Sequence, residues 1–160
     1  MSGSKPVKPA DYQALAEFRY QIRRFVRFSE EAARKGGIEP QHHQLLLALK
    51  GKPDHEEPRI AFIAERLQIQ HHSAVELVDR MARKGLITRT RGDEDRREVH
   101  LQLTAAGEHV LEELTRHMRA ELRSAAPALV EALRNLTART NVASKAGRRT
   151  RKAATRRSVM

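Results

Sequence analysis

A chain that changes its hydrophobic period within one short segment has few folds open to it, and Arg59–Thr104 makes one such change. Ile60, Ile63 and Leu67 recur at helical spacing, and after a polar break Ala74, Leu77, Val78 and Met81 resume the same period. Lys84-Gly85 closes that run as a basic last turn followed by a helix-ending glycine. Beyond it the pattern approaches a period of two, in Leu86–Arg91 and again in Val99–Leu103. Strands this close in sequence must pair as a hairpin, with Gly92–Arg97 at its tip. The segment therefore reads as a short helix, a tight turn, a second helix and a β-hairpin.

The flanks are helical. From Asp11 to about Arg34, Leu15, Phe18, Ile22, Phe25 and Val26 fall at steps of three and four on one face of a long helix that Gly36-Gly37 ends. Pro40 suits the first position of the next helix, whose body Gln41–Lys50 carries Leu45, Leu46, Leu47 and Leu49, a circumference that neighbours must largely cover. Lys50–Pro58 is a turn-rich connector. Thr104 can cap a following helix with the stripe Val110, Leu111, Leu114, Met118 and Leu122. Pro127 is expected to open a last helix bearing Leu129, Val130, Leu133 and Leu136. The fold class is mainly α with a small β wing, one domain over residues 11–138 behind a disordered leader, 1–10. A winged domain of this size has nowhere to bury the stripes of its terminal helices, so a second copy is the economical partner. The expectation is a two-fold homodimer, formed through Leu15, Phe18, Leu114, Met118, Leu129 and Leu133.

Charge bears on the partner. The formal net charge is +11, yet eight of the 31 Lys/Arg lie between Arg139 and Met160, where there is no acid, leaving 23 basic against 20 acidic residues elsewhere. With almost no large apolar residue, that tail is expected to be disordered and to add non-specific, salt-sensitive affinity for a polyanion. Zero cysteines exclude disulfides and thiolate metal sites and fit a reducing cytoplasm. No apolar run suggests a membrane span or signal peptide. His42-His43 and His71-His72 are adjacent pairs whose members diverge by about 100° on a helix, a poor geometry for shared chelation, so no metal is expected. Without a phosphate-binding glycine loop, a zinc-protease pattern or a nucleophile elbow, neither an enzyme nor a cofactor is expected.

Four pieces in order carry a family resemblance: LVDRM at Leu77–Met81, KGLITR at Lys84–Arg89, DRR at Asp95–Arg97 and LTAAGE at Leu103–Glu108. Together they resemble the winged helix-turn-helix of the multiple-antibiotic-resistance regulator (MarR) family, with the winged part at about 40–103 and dimerisation helices at about 11–35 and 104–138. The resemblance implies a short third strand at Arg59-Ile60 and a dimeric DNA-binding transcriptional regulator, most often a repressor. In that reading the second helix enters a major groove by its first turn, which bears Gln70, His71, His72, Ser73, Val75 and Glu76. His72 and Ser73 face bases, Val75 a thymine methyl and Glu76 a cytosine amino group, while Arg80 reaches the backbone. Glu76 departs from the basic or small polar residue common at this place in relatives. Arg97 is the first choice for insertion into the minor groove, oriented by Asp95, with Arg96, Arg89 and Arg91 on phosphates.

Two such units about a dimer axis read an inverted repeat in double-stranded DNA. The resemblance further implies a small aromatic or phenolic effector, for which Ile22, Phe25, His43 and Leu46 are the candidate contacts. The alternative from the residues is an architectural nucleic-acid-binding protein without sequence choice.

Overall fold

The computed structural model describes the backbone of residues 6–91 and 99–157, and the side chains of 6–90 and 99–138. Seven elements follow one another: α1 (Pro9–Lys35), α2 (Pro40–Lys50), α3 (Ile60–Leu67), α4 (His71–Arg83), β1 (Ile87–Arg91), β2 (Val99–Leu103) and α5 (Ala105–Arg157). The fold is mainly helical with one small antiparallel sheet, as the change of period requires.

The chain divides into two compact units, residues 28–120 and residues 1–27 with 121–160. In the first, α2, α3 and α4 enclose Leu45, Leu46, Ile63, Leu77, Val78 and Met81, each 1% exposed or less, and Ile87 and Leu101 from the hairpin close the same core. Small residues let α1 come close: Ser29, Ala32 and Ala33 are its buried positions, Ser29 Oγ donates to Met118 Sδ at 3.8 Å, and Phe28 stacks on His117 at 5.9 Å. Leu47 is the one leucine of α2 left uncovered, at 47% exposure.

Three helices end alike. Gly37, Gln68 and Gly85 have positive φ, and the next residue donates back five positions: Ile38 to Ala33, Ile69 to Ala64, and Leu86 to Met81. Glycine makes that conformation cheap at the ends of α1 and α4. At the end of α3 a glutamine occupies it, and its side-chain amide donates to the Glu65 carbonyl at 2.7 Å.

β1 and β2 pair from Ile87↔Leu103 to Arg91↔Val99. The hairpin tip, 92–98, with Asp95, Arg96 and Arg97, lies outside the described residues. The third strand expected at Arg59-Ile60 is not formed. Arg59 caps α3 and Ile60 is its first residue, so helix formation takes both, and the connector meets the hairpin through one backbone bond, Leu101 N–H to Pro58 O at 2.8 Å.

Two further expectations are corrected at α5. Pro127 does not start a new helix but lies inside this one. Leu122, Leu129 and Leu133 keep one helical phase across it, and the apolar stripe with alanines on both sides offsets the roughly 3 kcal/mol that an interior proline costs. The helix also runs on to Arg157, through the stretch expected to be disordered. Lack of apolar residues argues against a core, not against a helix: Ala, Arg and Lys propagate one already nucleated by a packed segment.

In the second unit the stripe read from α1 is largely uncovered. Leu15, Ile22 and Val26 are exposed, as are Val130 and Leu133 of α5, while Phe18, Phe25 and Leu129 are half-buried. Leu114 differs from the expectation. At 6% exposure it belongs to the core of residues 28–120 and lies against Gly36, so its own chain already covers it.

Candidate nucleic-acid interface

α4 is built to be held by one face and to present the other. Ala74, Leu77, Val78 and Met81, at steps of three, one and three, are buried against α2, α3 and β1. His72, Glu76, Arg80 and Arg83, at steps of four, four and three, are exposed on the opposite side. His71 is exposed beside them, and Ser73 and Val75 are half-buried at the edge of the contact. Gln70 is the N-cap in extended conformation, and its side chain makes no capping bond. The first turn thus shows N–H groups together with two imidazoles and a hydroxyl, an arrangement able to bond phosphates and base edges.

The hairpin is tied to this helix by Arg89. Its guanidinium donates to the carboxylate of Asp79 on α4, so this arginine, expected on a phosphate, fixes strand β1 to the presenting helix. The sequence reading missed Asp79, because the partners lie ten positions apart across a helix–strand junction, where no period links them. Arg91 stands at the outer end of β1, paired with Val99.

A second tie joins α4 to α5. Thr104 Oγ1 donates to the Gly85 carbonyl at 2.6 Å and accepts from the Gly107 N–H at 3.1 Å, while Thr104 N–H donates to Leu86 O at 3.1 Å. One threonine therefore caps α5 and holds the exit of α4. Lys50 and Glu108, paired at 2.5 Å, add a contact from α2 to the same first turn.

Beneath α4 sit two buried histidines. His42 and His43 are 4% and 2% exposed, and Nδ1 of the first and Nε2 of the second have no hydrogen-bond partner. Burial lowers both pKa values from the ordinary 6.5, helped at His42 by the positive charges of Lys84 and Arg80 and opposed by Glu39. Of the effector candidates, His43 and Leu46 are enclosed in the core of residues 28–120, whereas Ile22 and Phe25 belong to the other unit. No group of three or more potential metal ligands occurs among the described residues. Among the same residues no helix is long and apolar enough to cross a membrane.

Comparison with known proteins follows the same outline. Residues 36–98 match the model of the MarR family. Over 84 residues the chain is 33% identical to the HTH-type transcriptional repressor MdtR of Bacillus subtilis, a match covering 52% of each protein, so the chain spans about half the length of that curated relative. AbsC, a MarR family transcriptional regulator from Streptomyces coelicolor, superimposes with a TM-score of 0.66 at 16% identity, over 93% of this chain and 99% of its own. A mutant of Staphylococcus aureus MepR bound to an oligodeoxyribonucleotide superimposes with a TM-score of 0.57 at 20% identity, over 85% and 96%.

Proposed function

From the premise that this chain carries the MarR-family winged helix-turn-helix, we propose that it is a dimeric, sequence-specific DNA-binding transcriptional regulator acting as a repressor. The observation that carries the reading is the division of α4 into a buried apolar face and an exposed face led by His71 and His72. A helix held in this way offers its first turn to a major groove. His72 and Ser73 then bond base edges, Val75 packs on a thymine methyl, Glu76 accepts from a cytosine amino group, and Gln70, His71 and Arg80 serve the flanks and backbone. The tip residues Asp95, Arg96 and Arg97, with Arg91, supply the minor-groove and phosphate contacts.

Uncovered Leu15, Ile22, Val26, Val130 and Leu133 support a second copy as the partner of the terminal helices. Two reading heads about that axis fit an inverted repeat. Release by a small aromatic or phenolic effector belongs to the same reading. Because His43 and Leu46 are enclosed, an effector reaches them only if the packing around α2 opens, and that packing includes α4. Opening of that packing couples binding to the pose of the reading helix. Control of transcription from duplex DNA, as proposed, would place its action in the cytoplasm.

A mobility-shift titration with a site selected from random sequence tests the proposal. The complex should survive a large excess of random duplex. Complete displacement would instead favour an architectural protein without sequence choice.

A further inference from the structure

The end of α5 has a feature that the specific reading does not use. Residues 139–157 are helical, and the sequence there supplies only basic charge. At about 100° per residue, positions 145, 148, 149, 152 and 156 fall within an arc of about 100°. All five are Lys or Arg, while Ala143, Gly147, Thr150 and Ala154 lie on the far side, flanked by Arg139, Arg151 and Arg157 about 110–130° from the centre of the arc.

We propose that this end of α5 is a second binding element, a helix that lies along the phosphate backbone of duplex DNA by the face that carries these five cations, without reading bases. The five positions span about 16 Å of helix, over which a duplex carries roughly ten phosphate charges. With no acid in the stretch, no internal ion pair competes for these cations. Like charges four apart, Lys145 with Arg149, Arg148 with Lys152, and Lys152 with Arg156, weaken the helix when it is alone. Phosphates remove that repulsion, so binding and helix formation reinforce each other. The opposite arc decides against two other partners. Ala, Gly and Thr there give no apolar face to enter a bilayer and no stripe to seat a partner helix. The element acts on any duplex, independently of α4 and the hairpin tip.

The test is the salt dependence of binding to a random-sequence duplex, which keeps base reading out of the measurement. Three full or near-full chains are compared: the wild type, a truncation after Ala138, and a permuted chain. The last carries Ser144→Lys, Lys145→Ser, Arg149→Ala, Ala153→Arg, Ala154→Arg and Arg156→Ala, which keep composition and length but take three charges off the arc and spread all eight round the axis. Each phosphate no longer neutralised should lower the slope of log K against log salt by about 0.9, so truncation, which takes away the five cations of the face, should remove about 4–5 and permutation, which moves three, about 2–3. Added DNA should raise the helical circular-dichroism signal of the wild type more than that of the permuted chain. An unchanged slope on truncation would overturn the element, and a permuted chain matching the wild type in slope would overturn its helical face. Tighter binding to phosphatidylserine vesicles than to duplex at equal salt would overturn the choice of partner. All three chains should keep their preference for the selected site, so loss of that preference in the wild type would instead contradict the regulator reading.

Discussion

Replacing Gly107 by alanine should destabilise the protein by about 1–3 kcal/mol, although alanine is the better helix former. Gly107 is buried in the first turn of α5, where a Cβ would run into the carbonyl oxygen of Leu86, 3.0 Å from its carbonyl carbon and 3.5 Å from Leu46 Cδ2. Helix propensity favours alanine by about 1 kcal/mol. Against it, the obstructing atoms are backbone, so no rotamer change relieves the overlap, and overpacking of this kind costs about 1–3 kcal/mol. The Leu86 carbonyl also accepts the Thr104 N–H at 3.1 Å. Displacing it strips a bond worth about 1 kcal/mol, which offsets the gain in propensity. At roughly 3 °C per kcal/mol for a chain of this size, the thermal midpoint should fall by about 3–9 °C. Ala106→Gly is the control: that residue is exposed, and its change should lose only about 1 kcal/mol of propensity. If Gly107→Ala melted at or above the wild type while Ala106→Gly showed its loss, the close approach of α5 to Leu86 would be refuted.

Other perturbations separate the parts of the account. Arg97→Ala should weaken binding to the selected site by about 1–3 kcal/mol in a mobility-shift titration, and unchanged affinity at moderate salt would count against a groove-inserting hairpin. Leu15→Glu with Leu133→Glu should yield folded monomers by light scattering, because both side chains are uncovered; a dimer of unchanged mass would place the interface elsewhere. Leu114→Ala should instead cost about 2–5 kcal/mol in urea unfolding, as expected of a core leucine, and a loss below about 1 kcal/mol would contradict its burial. Stability should also fall in acid. With the folded pKa values of His42 and His43 below 6.5, the unfolded chain binds more protons in between. Their contribution is therefore complete above 6.5 and is lost as pH falls through the folded values, a trend that His42→Gln with His43→Gln should flatten. An unaltered urea-midpoint profile in that double variant would contradict it.

The reading segment was legible because its rules are local. The change of period at Gly85, the buried set Ala74, Leu77, Val78 and Met81, and the threonine cap at Thr104 each follow from a few neighbouring residues. The ion pair of Asp79 with Arg89 escaped notice because tertiary packing, not spacing, joins a helix to a strand. Leu114 shows the same limit from the other side: a stripe tells which face of α5 is apolar, but not whether its own chain or a second copy covers each turn. Pro127 misled because a proline suits a helix start and costs about 3 kcal/mol inside one, a cost that the in-phase stripe and flanking alanines of α5 offset. For residues 139–157, composition gave the charge correctly and the backbone wrongly, since a helix needs no core once its preceding turns are packed.

Hydroxyl-radical footprinting on the selected duplex, with the mass of the complex measured alongside, bears most directly on the idea of two clamped copies reading one site. Two protected segments about one helical turn apart, related by two-fold symmetry and bound by two chains, is the expected pattern. A single protected segment bound by one chain would contradict it.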